Sequence, residues 1–285
     1  MNHLPDNFRY SFSKLSSFRS CPMSFYLQYV CKPDNDDDIP NFFAQYGSCA
    51  HKILEEYFKG DLPQFLLAEE WESRYPEEVQ CPPPPFPPGF GDKAFNAGLQ
   101  YFESFDGFGD EWDVASVEEK FYLNIGGYTV SGIADLVLRH KETGEYWIID
   151  HKSKSKSSMK KDMATYRNQL YLYAIWCKER FGQYPSKLSF NLFKEDMMVD
   201  EEFSEDGIGA TTEWILSTIS DIEQCDMFED WTSCIAPNES KEPYACRWIC
   251  GCNMDCDDYQ RVHQAAIEEW KAKKEAEEAM MGGMI

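Results

Sequence analysis

The sequence contains no run approaching the roughly 20 apolar residues that a membrane span requires, and Met1–Tyr10 holds no apolar signal core. Both absences point to a soluble, cytoplasmic protein with no membrane partner. No Gly-x4-Gly-Lys-Ser/Thr is present, so nothing in the chain reads as a nucleotide-driven motor. No internal repeat is visible, which excludes a solenoid or propeller. Basic residues are scarce, 27 against 50 acidic, for a formal charge of −23. A uniformly negative surface would repel nucleic acid. What the chain does have is enough to bury a core. Its 285 residues are 43% hydrophobic and 15% aromatic, which excludes a disordered or collagen-like chain.

The charge is not uniform. Asn7–Pro33 carries Arg9, Lys14, Arg19 and Lys32 and no carboxylate, and Lys152–Arg167 carries six basic residues against Asp162 alone. Eleven cysteines are an odd number, and without a secretion signal they do not read as a disulfide framework. Four of them, Cys246, Cys250, Cys252 and Cys256, fall between residues 246 and 256, a clustering that points to metal.

Periodicity gives the organisation. A helix capped by Ser11 or Ser13 opens the chain, with Leu15, Phe18 and Phe25 at helical spacing, followed by a charged loop at Asp34–Asp38. A second helix is expected over Phe42–Lys59. Residues 60–110 read as an insertion, two short helices around the proline-rich loop Cys81–Gly89. Three strands follow, Val117–Ile125, Tyr128–Leu138 and Tyr146–Asp150, with Gly126-Gly127 and Thr143-Gly144 as turns. Met163–Phe181 is a helix with Tyr166, Leu170, Tyr173 and Trp176 on one side. Leu188–Phe193 is a strand and Thr211–Cys225 a helix. Residues 257–285 form a long helix with a frayed tail. The expectation is one mixed α/β domain over residues 1–285.

Asp150-His-Lys152 closes the run Tyr-Trp-Ile-Ile-Asp. An acid two before a lysine also occurs at Glu118, Glu239 and Glu269, so the tripeptide alone says little. Its placement says more, because side chains two apart on a strand share a face. Asp135 lies in the preceding strand inside Gly-Ile-Ala-Asp-Leu-Val-Leu, where an unpaired carboxylate is costly. A divalent cation shared with Asp150 would offset that cost, and two carboxylates with an ammonium are the parts for metal-assisted phosphodiester hydrolysis. An internal Asp135–Lys152 salt bridge is the plainer alternative.

Asp135, Asp150-x-Lys152 and Gln169-Leu-Tyr-Leu-Tyr173 together resemble the PD-(D/E)XK nuclease core in its RecB-like branch. That branch includes the nuclease domains of bacterial recombination helicases and the CRISPR-associated RecB-like nucleases. Ser11-Phe-Ser-Lys-Leu…Cys21-Pro, Gly47-x3-His51 and Val117-Glu118-x2-Phe121 are similar too. The resemblance implies a restriction-endonuclease-like fold, a mixed central sheet flanked by helices. It implies that His51, Asp135 and Asp150 ligate Mg²⁺ or Mn²⁺, with the His151 backbone carbonyl completing the protein ligands. Lys152 would be the catalytic lysine, and Gln169 and Tyr173, one helical turn apart, would position it or the DNA backbone. Glu118 is a weaker candidate, since an exposed strand carboxylate explains it equally well.

Some nucleases of the same branch hold a 4Fe–4S cluster on one N-terminal and three C-terminal cysteines, and the resemblance to them implies Cys21, Cys246, Cys250 and Cys256 as ligands. The spacing departs from the usual Cys-x2-Cys-x5-Cys: Cys246 to Cys250 is x3, and Cys252 is a spare. Cys252 could replace Cys250, and a local Zn²⁺ site on the four clustered cysteines stays open. The function implied is a metal-dependent DNA nuclease, an exonuclease on DNA ends or single strands, in recombination, repair or the processing of CRISPR or phage DNA. A helicase, annealing or CRISPR-adaptation protein is the class of partner implied. The alternative is a non-catalytic DNA- or protein-binding adaptor that keeps the nuclease fold.

Overall fold

The computed structural model describes residues 2–31, 41–85 and 87–282. Lys32, the Asp34–Asp38 loop and the last three residues of the tail lie outside them. In chain order the elements are β1 (Tyr10–Ser11), α1 (Phe12–Ser20), α2 (Pro22–Phe25) with a π-helical turn after it, α3 (Phe42–Lys59), α4 (Leu67–Glu78) and α5 (Phe90–Ser104). Then come β2 (Trp112–Ile125), β3 (Tyr128–His140), β4 (Tyr146–His151), α6 (Lys156–Lys161) and α7 (Met163–Phe181). Last are β5 (Lys187–Leu192), β6 (Met197–Glu201), α8 (Glu205–Phe228), α9 (Tyr244–Trp248) and α10 (Asp257–Gly282). Two compact units divide this chain: one comprises Asn7–Ser16 and Pro40–Ser220, the other Met1–Asp6, Ser17–Ile39 and Asp221–Ile285.

The first unit is mixed α/β, as expected. Its six strands form one sheet in the order β1-β3-β4-β5-β6, with β2 also on β3. The β2–β3 pairing is antiparallel and runs the length of both strands, from Trp112↔His140 to Ile125↔Tyr128. Gly126 and Gly127, with φ of 60° and 94°, close it as a two-residue turn that most side chains would strain. The other edge of β3 is shared: β4 pairs with Leu136–Arg139, and β1 lies parallel to Val130 and Ser131. Parallel β5 then lies against β4, placing Phe190 beside Asp150 and Asn191 beside His151.

Local signals fix the long helices. Asn41 caps α3 by accepting the Phe43 and Ala44 N–H groups at 3.0 and 3.1 Å, and Tyr46, Ala50, Ile53 and Leu54 make its buried stripe. Residues 60–110 pack α4 and α5 on α3 around Trp71, which is fully buried and donates to the Phe95 carbonyl at 3.0 Å. Gly98 is required there, because a Cβ would stand 2.2 Å from the Trp71 ring.

Three expectations change. α7 is buried nearly all round between Gln169 and Ala174 rather than along one stripe. The segment leading into α8 and its first turn cover its second side: the Tyr171 hydroxyl donates to the Glu202 carbonyl at 3.0 Å, and Gly207 lies flush on the Tyr171 ring. Gly207, which permits this approach, and Gly209 hid the first turns of α8 from the periodicity. β6 also went unseen, an edge strand with little buried side-chain surface and hence no alternation.

In the second unit Trp231 stacks on Phe25 and Tyr26 at ring-centroid distances of 5.8 and 5.2 Å. The Met23 N–H donates to the Thr232 carbonyl at 3.0 Å. Ile235, Cys246, Tyr259 and Val262 form a small core. Among the described residues no helix is long and apolar enough to cross a membrane.

Candidate active site

Three elements and the residue that follows one of them bring their side chains together. Asp135 sits in β3, Asp150 and His151 end β4, Lys152 follows directly, and His51 comes from α3. The Asp135 carboxylate accepts the His151 N–H at 2.8 Å, tying the two strands together at the site. Asp150 has no exposed surface. Its Oδ2 stands 2.5 Å from Lys152 Nζ, and its Oδ1 is buried without a hydrogen-bond partner among the described residues. The ion pair of the lysine is therefore with Asp150 rather than with Asp135.

His51 bridges the site. Its Nε2 lies 2.9 Å from the His151 carbonyl oxygen, and its Nδ1 lies 3.5 Å from Glu118 and 3.6 Å from Asp135. One ligand atom from each of His51, Glu118 and Asp135 falls within 4.8 Å of the others. Glu118 reaches this position through an unusual backbone. The register sets it across from Asp135, just beyond a bulge between Val114 and Ser116. Its φ is 48°, left-handed and costing a non-glycine residue about 1–2 kcal/mol. No pattern in the sequence marks such a bulge, so Glu118 looked like any exposed strand acid.

The electrostatics follow from burial among like and unlike charges. Burial pushes Asp150 up to about 6, with Asp135 adding to the rise and Lys152 opposing it. Burial raises Asp135 as well, against the pull of His51 and Lys152. Burial would lower His51, but Asp135 and Glu118 outweigh it and hold the ring cationic up to about 9. Lys152 is likewise held charged, as Asp150 and Asp135 overcome its desolvation. Burial next to His51 and Lys152 pushes His151 well below the usual histidine range, so it is neutral.

Gln169 and Tyr173 are brought to the same region. Gln169 Nε2 donates to the Tyr173 hydroxyl at 2.7 Å, and Gln169 Oε1 is buried without a partner among the described residues. Burial, then the charges of Asp150 and Asp135, keeps Tyr173 protonated. Asn191 in β5 was missed by the sequence reading. Its amide donates to the Tyr101 hydroxyl at 2.7 Å and lies 2.9 Å from His151 Nδ1, fixing that ring. The signal was available: a polar residue in the apolar run Leu-Ser-Phe-Asn-Leu, as with Asp135 in β3.

The cysteines converge elsewhere, within the second unit. Cys21, Cys246, Cys250 and Cys256 line one cavity together with Ser24, Leu27, Ile235 and Tyr259. Cys252, 2% exposed, does not line it. Cys234 does, and neither its spacing nor its context had singled it out.

A crystal structure of a "Putative exonuclease" from Eubacterium rectale superposes with a TM-score of 0.44 at 12% identity, covering 79% of this chain and 84% of that one. No curated protein gives a significant sequence match. The sequence does match the family model of the PD-(D/E)XK nuclease superfamily over residues 9–257, a span that holds the candidate site residues from His51 to Asn191 and the cavity cysteines from Cys21 to Cys256. With a six-stranded mixed sheet flanked by helices and an Asp…Asp-x-Lys set at its end, the chain belongs to the PD-(D/E)XK nuclease superfamily, whose members hydrolyse phosphodiester bonds.

Proposed function

We propose that the protein is a metal-dependent DNA nuclease of the RecB-like branch, an exonuclease working on DNA ends or single strands. One observation carries the reading: Asp150, a buried carboxylate with an unpartnered oxygen, stands beside a lysine and next to a second buried acid. A buried anionic oxygen without a donor is costly, and a divalent cation is the group that fits it. The His51, Glu118 and Asp135 atoms, a group that does not include Asp150, suit a hard cation of the same kind. Asp135, Asp150 and His51, the last after giving up the proton it holds in the metal-free site, would hold Mg²⁺ or Mn²⁺, with the His151 carbonyl and Glu118 at hand. When bound, the ion supplies Lewis-acid polarisation of the scissile phosphate and a water of lowered pKa.

The remaining chemistry belongs to the chain. Lys152 stays an ammonium, so it donates hydrogen bonds and steadies negative charge developing on the phosphate. Tyr173 keeps its proton, and its bond from Gln169 fixes where the hydroxyl points. Asn191 holds the His151 ring, and Asp135 holds the His151 N–H, so the segment carrying Lys152 is anchored on both sides. For the substrate, the basic stretch after the site supports DNA. Lys154 lies over the Tyr166 ring at 4.8 Å, and Lys154, Lys156, Lys160 and Lys161 form no ion pair with a carboxylate among the described residues. In a chain of charge −23, such free cations beside the site would confine a phosphate backbone to this track.

The second unit supports a cluster reading. Cys21, Cys246, Cys250 and Cys256 come from both ends of the chain to one cavity, as a 4Fe–4S cluster needs. Zn²⁺ is the alternative metal. Digestion of linear, circular and single-stranded DNA with Mg²⁺ or Mn²⁺ tests the nuclease. Cleavage of ends and single strands that disappears in the Asp150→Ala variant is the expected result. Equal cleavage by that variant would reject the assignment.

A further inference from the structure

We infer that Cys234 is a fifth metal-binding thiol of the cysteine cavity, an inference that rests on the reading above that this cavity holds a thiophilic metal. Five thiols line the cavity, one more than a four-cysteine set uses: Cys21, Cys234, Cys246, Cys250 and Cys256. Cys234 Sγ lies 3.8 Å from Cys246 Sγ. Thiolates bound to one tetrahedral metal at about 2.3 Å stand about 3.8 Å apart. The pair is therefore spaced as two ligands of a single metal position; among the described residues no third thiol stands within 4.8 Å of both, so Cys21, Cys250 or Cys256, which line the same cavity, would complete the set by a side-chain shift.

The backbone fixes Cys234 in that place. Its N–H donates to Cys21 Sγ at 3.3 Å, an orientation that stabilises a thiolate there. On one side the Thr232 carbonyl accepts the Met23 N–H, and on the other Ile235 is buried with Cys246, Tyr259 and Val262. The Ile235 N–H also donates to Ser233 Oγ at 2.9 Å, so the turn carrying the thiol is closed. Of the five thiols Cys234 is the exposed one, which places it where the cavity meets solvent. The ligand class is a thiophilic metal ion that takes two cysteine thiolates at once, Zn²⁺ or an iron so ligated.

The test uses the full chain, stripped of metal and handled anaerobically, in two arms: titration with Co²⁺ as a probe for a zinc-type site, and reconstitution with ferrous iron and sulfide. Sulfur-to-metal charge-transfer absorbance and metal per chain are read for the wild type and for the Cys234→Ser, Cys234→Ala, Cys246→Ser and Cys252→Ser variants. In whichever arm loads the wild type, both Cys234 variants should lose affinity by at least about tenfold, the smallest loss expected when even a group outside the ligand set is removed. Cys246→Ser should behave likewise, and Cys252→Ser should match the wild type. Circular dichroism of the metal-free variants separates a lost ligand from a lost fold. Wild-type metal content and spectrum in both Cys234 variants, with Cys246→Ser defective, would overturn the role of Cys234 and leave the thiol site standing. A wild type that loads in neither arm would remove the thiol site itself.

Discussion

Replacing Asp150 by asparagine should stabilise the metal-free protein while abolishing its activity. The carboxyl is fully buried and its folded pKa is raised from 3.8 to about 6, burial being the main cause. A carboxyl that holds its proton more tightly folded than unfolded costs stability as pH rises, because the unfolded chain ionises first. Two pH units correspond to about 3 kcal/mol, fully felt above the folded pKa, about half of it at pH 5, and none below about pH 4. Asparagine keeps the shape and the neutral form at every pH, so the Asp150→Asn variant escapes this penalty. In EDTA at pH 8 it should melt roughly 5–10 °C above the wild type, and the gap should shrink by about half at pH 5. Adding Mg²⁺ should raise the wild type and narrow the difference. Thermal and urea unfolding between pH 5 and 8, with and without metal, measures each quantity. A variant no more stable than the wild type at pH 8 in EDTA, or a gap that does not change with pH, would refute the idea that the site holds an unpaid buried charge.

Lys152→Ala and Asp135→Asn should each lower cleavage of single-stranded DNA by at least about 100-fold with an unchanged circular dichroism spectrum; near-wild-type rates would move the chemistry elsewhere. Reversing Lys154, Lys156 and Lys160 together should weaken salt-sensitive DNA binding more than reversing Lys271, Lys273 and Lys274, one of which already pairs with Glu269; equal losses in a filter-binding assay would misplace the track. Gly98→Ala should destabilise the fold by about 1–3 kcal/mol in urea, because the added Cβ meets the buried Trp71 ring at 2.2 Å; an unchanged midpoint would contradict that packing. Anaerobically purified protein should be brown, absorbing near roughly 400 nm with about four irons per chain. Cys21→Ala should lose that colour and several kcal/mol of stability, as expected for opening a very long closed loop, whereas Cys252→Ala should keep both.

Much of this protein is written locally. The cap at Asn41 and the apolar spacing up to Leu54 determine α3, and Gly126-Gly127 between two alternating runs determines the β2–β3 hairpin. Asp135 and Asp150-His-Lys152 stood out because charge inside or at the end of an apolar strand is costly, and that cost shows in sequence. Gln169 and Tyr173 are set one helical turn apart by the helix itself. Other features depend on groups far apart in the chain, and no short window contains them. β1 is two residues long and exists because Tyr10 and Ser11 find Val130 and Ser131 across the sheet. Glu118 enters the site on a left-handed backbone just beyond the bulge between Val114 and Ser116, a conformation that surrounding pairing with β3 sustains. Cys234 joins the cysteine cavity because its turn is held by the segment around Met23 and by the core at Ile235, more than two hundred residues from Cys21 along the chain. Composition and period decide what each segment becomes, because those forces act within a few residues; only tertiary packing decides which distant side chains share a site, because that depends on register, bulges and the covering of strand ends.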